Sequence, residues 1–123
     1  MRRWDSGQAT VELALVLPLV ALLLVALVQA AVVARDQLLV THAAREAVRA
    51  AAVDPDPAAA TRAARRAGPL DADRLAVDLS GRGAVGSEVR AVVSYRPPTR
   101  LPFVGRMLGD LTLRGEATMR VER

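Results

Sequence analysis

Gly7-Gln8-Ala9-Thr10-Val11-Glu12, followed by the uncharged run Leu13–Ala34, is the stretch that decides the fold. The run holds 22 residues, and nearly all of them are Leu, Val or Ala. A helix rises about 1.5 Å per residue, so the run reaches roughly 33 Å and can cross a hydrocarbon core of about 30 Å. The sequence therefore predicts a membrane-spanning helix with a small domain attached to it.

The short basic leader sets the predicted orientation. Arg2 and Arg3 lie on a very short tail, where the positive-inside rule has its strongest effect. We therefore expect a single-pass protein of the cytoplasmic membrane, with the N-terminus inside and the C-terminal domain outside.

Composition limits the function of the remaining chain. The 123 residues include no cysteine, so neither a disulfide framework nor a thiolate metal site is available. The net charge of +4 comes from arginines scattered among acidic residues, which argues against a nucleic-acid partner. The one tight basic group, Arg62, Arg65 and Arg66, is typical of a solvated helix face.

Two helices are predicted. Asp5, with Gln8 three residues later, resembles a capping box and predicts the start of the first helix. The absence of Gly and Pro after Asp36 predicts that this helix continues to Val53. Its extension is amphipathic, with His42, Arg45, Glu46 and Arg49 on one side and small apolar residues (Val40, Ala43, Ala44, Ala47, Val48, Ala51) on another. Asp56-Pro57 begins a second helix and Gly68-Pro69 ends it.

The period of the apolar residues then changes from 3.6 to 2, which indicates strands. Three buried faces are predicted: Leu75, Val77, Leu79; then Val89, Ala91, Val93, Tyr95; then Leu111, Leu113, Gly115, Ala117, Met119, Val121. The expected fold is α+β, with a long transmembrane helix, a short second helix and a three-stranded antiparallel sheet. The expected limits are a leader at 1–7, the helix and its extension at 8–53, and an extracytoplasmic domain at 54–123.

The connection 97–110 is unusually apolar for a loop. Its apolar side chains include Phe103, Val104, Met107 and Leu108. Two interpretations stay open: the segment covers an open end of the core, or it forms a contact surface for a partner.

Glu12 is the residue most informative about function. A carboxylate directly before an apolar run is costly to bury, and such residues usually have a function. A glutamate in the first turns of a helix also complements the helix dipole. The residue alone does not separate the two interpretations.

The context of Glu12 resembles the prepilin-peptidase signal of type IV pilin-like proteins. More narrowly, Gly7 through Pro18, with Thr41-His42-Ala43-Ala44-Arg45-Glu46, is similar to TadE-like proteins, the minor pilins or pseudopilins of tight-adherence (Flp-type) pili. The resemblance implies cleavage after Gly7, which makes Gln8 the new N-terminus and Glu12 the fifth residue, used in assembly. Flp major pilins typically carry Tyr after this Glu, and Leu13 stands here, which favours a minor component.

The resemblance also implies the partners. They are other pilus subunits, proteins of the assembly platform, prepilin peptidase and membrane lipid.

The sequence also raises three alternatives to this function. An uncleaved membrane anchor carrying a protein-binding domain fits the same helix. A secretory signal peptide, cut between Ala30 and Ala31, fits the small residues there but not Glu12 and Pro18. An enzyme is disfavoured, because the only histidine, His42, lies amid alanines. The aspartates Asp71, Asp73 and Asp78 have no calcium-loop spacing, so no catalytic, metal or cofactor residue is predicted.

Overall fold

The computed structural model describes residues 3–98, Arg106, Gly109 and 111–122, with side chains described from Gly7 onward. The elements in chain order are α1 (Arg3–Val53), α2 (Pro57–Arg66), a 3-10 turn (Ala72–Arg74), β1 (Leu75–Ser80), β2 (Glu88–Tyr95) and β3 (Leu113–Arg120). The chain divides into two compact units, Met1–Val33 and Ala34–Arg123, and α1 contributes to both. This architecture confirms the predicted α+β fold.

The helix α1 is longer at its start than the sequence predicts. It begins at Arg3, so the predicted N-cap at Asp5 is wrong. Neither Gly nor Pro occurs among residues 3–6, and nothing there stops the helix from extending by two residues. Pro18 lies inside α1 without ending it, and the predicted end at Val53 is confirmed.

The sheet is antiparallel, with strand order β1-β2-β3. Tyr95 of the central strand faces Leu75 on one side and Leu113 on the other. The predicted inner face of β2 is fully buried: Val89, Ala91 and Val93 are inaccessible. Leu111 and Met119 were expected on the same face but are exposed. They lie on and just before an edge strand, which has no further strand beside it among the described residues, so part of its inner face stays open.

Small residues let the last part of α1 approach the sheet closely. All six predicted core residues of this part are buried, and Ala52 joins them. The facing position on β3 is Gly115, where a methyl group would lie 2.7 Å from the carbonyl oxygen of Val40 and 2.9 Å from Cα of Thr41. Both are backbone positions, so only glycine fits against the helix here.

Two hydrogen bonds fix the direction of β3 along this helix. The Nε2 of Gln37 donates to the carbonyl oxygen of Arg114 at 2.9 Å. The backbone N–H of Glu122 donates to the carbonyl oxygen of Ala52 at 3.1 Å. Because Gln37 precedes Ala52 and Arg114 precedes Glu122, β3 runs in the same direction as the helix residues that pack on it.

The second helix follows its sequence signals. The carboxylate of Asp56 accepts the backbone N–H of Ala58 at 2.9 Å and pairs with the guanidinium of Arg62 at 3.1 Å. The backbone hydrogen bond from Ala58, and then the bond from Arg62, hold the pKa of the Asp56 carboxyl below its usual value. Ala60 and Ala64 are the buried residues of this helix, which packs against β1.

Candidate functional site

Gly7 lies inside α1, although glycine is a poor helix former. It costs about 1 kcal/mol relative to alanine in a helix interior. The residue is exposed, and a methyl group built there would meet no other part of the described chain within 4 Å. Packing therefore gives no reason for a glycine at this position, in contrast to Gly115.

Glu12 lies one turn after Gln8 on the same helix. The Nε2 of Gln8 donates to Oε1 of Glu12 at 3.5 Å, and both residues are exposed. A contact of this length is weak. The carboxylate therefore keeps most of its hydrogen-bonding capacity for another donor.

The helix surface that follows Glu12 is apolar and uncovered. Its large side chains are 43% to 73% exposed: Leu13, Leu15, Val16, Leu17, Leu19, Val20, Leu22, Leu23, Leu24, Val25, Leu27, Val28, Val32. An 18-residue window has a mean hydropathy of 2.9, and none of it is buried within the protein. A continuous apolar surface of this kind calls for lipid or other helices around it.

The remaining predicted surface lies outside the described residues. Phe103, Val104, Met107 and Leu108 all belong to that part of the chain, so their role as a partner surface stays a prediction. His42 is exposed on α1, as the sequence indicates. Within the residues that the structure describes, no three His, Asp or Glu side chains converge on a possible metal position.

Sequence reasoning missed the burial of Asp36. Only 8% of this residue is exposed, and it lies one turn before Val40 on the helix face that meets the sheet. The signal was its spacing of four residues from Val40, which places both on one helix face.

A comparison with known families agrees with this organisation. Residues 7–49 match the family model described as TadE-like protein. The match covers Gly7, Gln8 and Glu12 together with most of the helix that packs on the sheet, and it confirms the resemblance over that stretch. No curated protein and no solved structure matches the chain.

The match and the helix are both consistent with one broad class of protein. TadE-like proteins are pilus-associated and structural rather than enzymatic. Among the described elements, α1 is long and apolar enough to cross a bilayer. These features fit a Tad pilus-associated membrane protein that crosses the membrane once.

Proposed function

We propose that this chain, with its TadE-like segment at residues 7–49, is a minor pilin or pseudopilin of a tight-adherence (Flp-type) pilus. Prepilin peptidase cleaves it after Gly7, and it then serves as a structural and assembly component. The observation that carries the proposal is Gly7 itself: it weakens α1 without serving its packing. A peptidase that requires a small residue before the cleaved bond accounts for the glycine at this position.

Glu12 then acts in assembly. Cleavage gives Gln8 a free ammonium group, and a neighbouring subunit brings such a group to the carboxylate of Glu12. In an apolar helix bundle this attraction is much stronger than in water. The contact from the Gln8 side chain is weak, so the carboxylate of Glu12 is available to pair with the ammonium group of the neighbouring subunit. The partners are other pilus subunits and platform proteins, with Phe103, Val104, Met107 and Leu108 as a further contact surface.

An unprocessed anchor is the second candidate. The unit Ala34–Arg123 has its own core, which includes Val40, Val93 and Tyr95, and every buried residue of the described chain lies within this unit. Such a domain is equally compatible with a protein whose helix is never cleaved and only anchors the domain to the membrane. The mass of the mature chain separates the candidates: it lacks Met1–Gly7 in a pilin, it is complete in an anchor, and it lacks everything through Ala30 after signal-peptide cleavage.

Gly7→Leu is expected to retain the leader when the cognate peptidase is co-expressed. A bulky side chain is excluded from a position that requires a small residue, whereas leucine is favourable in the helix itself. Intact mass spectrometry of membrane-extracted protein reads the result directly. Ala9→Leu is the matched control, because it adds a larger side chain two residues beyond the cleavage position and should still be processed. Normal processing of Gly7→Leu would contradict the proposed cleavage site.

Ala84→Cys tests the orientation. Ala84 is exposed in the turn between β1 and β2, and the chain contains no other cysteine. With the domain outside the cytoplasm, an impermeant maleimide should label this cysteine in intact spheroplasts. Ser6→Cys, in cells lacking the peptidase, is the opposite control and should be labelled only after lysis. The reverse pattern would place the domain in the cytoplasm.

A further inference from the structure

The exposed face of α1 within the unit Ala34–Arg123 carries a row of five residues, three of which are arginines. Arg35, Leu38, His42, Arg45 and Arg49 are all exposed, and they are spaced alternately by three and four residues. We call this row the basic stripe. The spacing keeps the residues on one helix face over about 21 Å of helix. It is also the spacing with which one helix packs along another.

Among the residues that the structure describes, the arginines of the basic stripe have no acidic partners. The ion pairs found among the described residues lie elsewhere: Arg62 with Asp56, Arg74 with Asp71, and Arg90 with Glu116. The stripe itself contains no carboxylate. The two acids nearest in sequence, Asp36 and Glu46, are buried and half-buried on other faces of the helix.

We infer that the basic stripe docks an acidic helix of a different subunit and excludes a second copy of this chain. This inference rests on the proposed function for the identity of the partner as a pilus subunit. Two copies that cross the same membrane in the same direction place their helices in parallel. If they met along this face, Arg45 and Arg49 of one copy would face the same cations of the other. The repulsion between like charges across an interface disfavours binding of the wrong partner. A helix that carries carboxylates at the same depth is attracted to the arginines instead.

Leu38 gives this face its anchor. It is 73% exposed, although it belongs to the packed unit rather than to the apolar run. An apolar side chain between Arg35 and His42 provides the contact that a neighbouring helix covers, while the arginines of the stripe select the charge of that helix.

The test uses two differently tagged copies of the full chain, with Ala34→Cys in both and a short bis-maleimide as crosslinker. Ala34 is exposed one turn before Leu38, so the stripe itself stays intact. Three combinations are compared: wild-type stripe with wild-type stripe, R45E/R49E with R45E/R49E, and the mixed pair, in which the reversed copy supplies the acidic helix. We expect the mixed pair to crosslink about ten-fold more than either like-charged pair, because two repulsive contacts become attractive. The same excess should fall at high salt, since the contacts are exposed.

The matched control reverses Arg65 and Arg66, two exposed arginines on α2, and leaves the stripe intact. R65E/R66E changes the net charge equally and should give no excess in its mixed pair. Equal crosslinking in all three stripe combinations, as expected of a face that meets only water or lipid, would overturn the inference. So would dominant crosslinking between two wild-type stripes, which indicates a second copy as the occupant.

The assay needs no peptidase and no other pilus subunit, so it is independent of the proposed function. A second arm adds the remaining pilus subunits. There, copies with the wild-type stripe and Ala34→Cys, labelled with a maleimide that carries a photoreactive diazirine, should crosslink to another subunit, and R45E/R49E should lose about ten-fold of that product. An excess in the mixed pair without capture of a pilus subunit supports the charge-selective face and contradicts the pilus assignment alone.

Discussion

Gly115→Ala is expected to destabilise the unit Ala34–Arg123 by about 1–3 kcal/mol, as overpacking of a core does. The added methyl group would lie 2.7 Å from the carbonyl oxygen of Val40 and 2.9 Å from Cα of Thr41. No side-chain rotation can relieve contacts with backbone atoms, so the helix must move away from β3. That movement also strains the hydrogen bond from Gln37 to Arg114. Amide hydrogen exchange of β2 and β3 in the detergent-solubilised full chain should become roughly 5- to 150-fold faster.

Gly68→Ala is the matched control in the same unit. Its added methyl group would meet Cδ2 of Leu39 at 3.1 Å, the far end of a flexible side chain that can move. A glycine-to-alanine change at such a compatible position also restricts the unfolded chain, which offsets a small packing cost. We expect a change of less than about 1 kcal/mol. If Gly115→Ala exchanges as slowly as Gly68→Ala, the close approach of α1 to β3 is incorrect.

The elements of the packed unit could be predicted from local patterns. The 3.6-residue period of Val40, Ala44, Ala47 and Ala51 identified the buried face of the helix, because a helix that packs on a sheet must bury one stripe. The period of two identified the three strands of the antiparallel sheet. Each of these inferences needs only residues that are neighbours in the sequence.

Contacts between distant residues could not be predicted in the same way. The bond between Gln37 and Arg114 joins residues that are 77 positions apart, and nothing in either segment identifies the other. Gly115 was predicted correctly to face inward, but the reason that glycine is needed there is the backbone of Thr41. The burial of Asp36 was not predicted, although its spacing of four residues from Val40 places both on one helix face.

For the candidate site, local sequence was more informative than the structure. Gly7, Gln8 and Glu12 were found entirely from local sequence, and the structure contributes the weak contact between Gln8 and Glu12 and the absence of a packing role for Gly7. Their proposed chemistry takes place between molecules, with a peptidase and with neighbouring subunits. The structure of a single chain therefore shows these residues but neither the cleavage nor the assembly. Both steps are measured with the peptidase and the other pilus subunits present.

Glu12→Gln is expected to abolish assembly while leaving membrane insertion and processing intact. The amide has the same shape as the carboxylate and keeps a hydrogen-bonding group next to Gln8, so α1 itself should not change. In a helix bundle, however, the ammonium of the neighbouring subunit would lose its counter-charge in an apolar environment. Removing one partner of a buried ion pair typically costs about 3–5 kcal/mol. Association should then fall by more than about 100-fold.

Co-purification of tagged Glu12→Gln with the other pilus subunits measures this loss, with membrane level and intact mass as references for insertion and for cleavage after Gly7. Glu12→Asp is the control, because it keeps the charge on a side chain that is one methylene shorter, and it should retain much of the association. If α1 is a passive anchor, both variants behave alike, since removing a charge from the membrane edge slightly favours insertion. Undiminished association of Glu12→Gln at an equal membrane level would exclude the assembly role of the carboxylate. The uncleaved anchor would then be the better account of the chain.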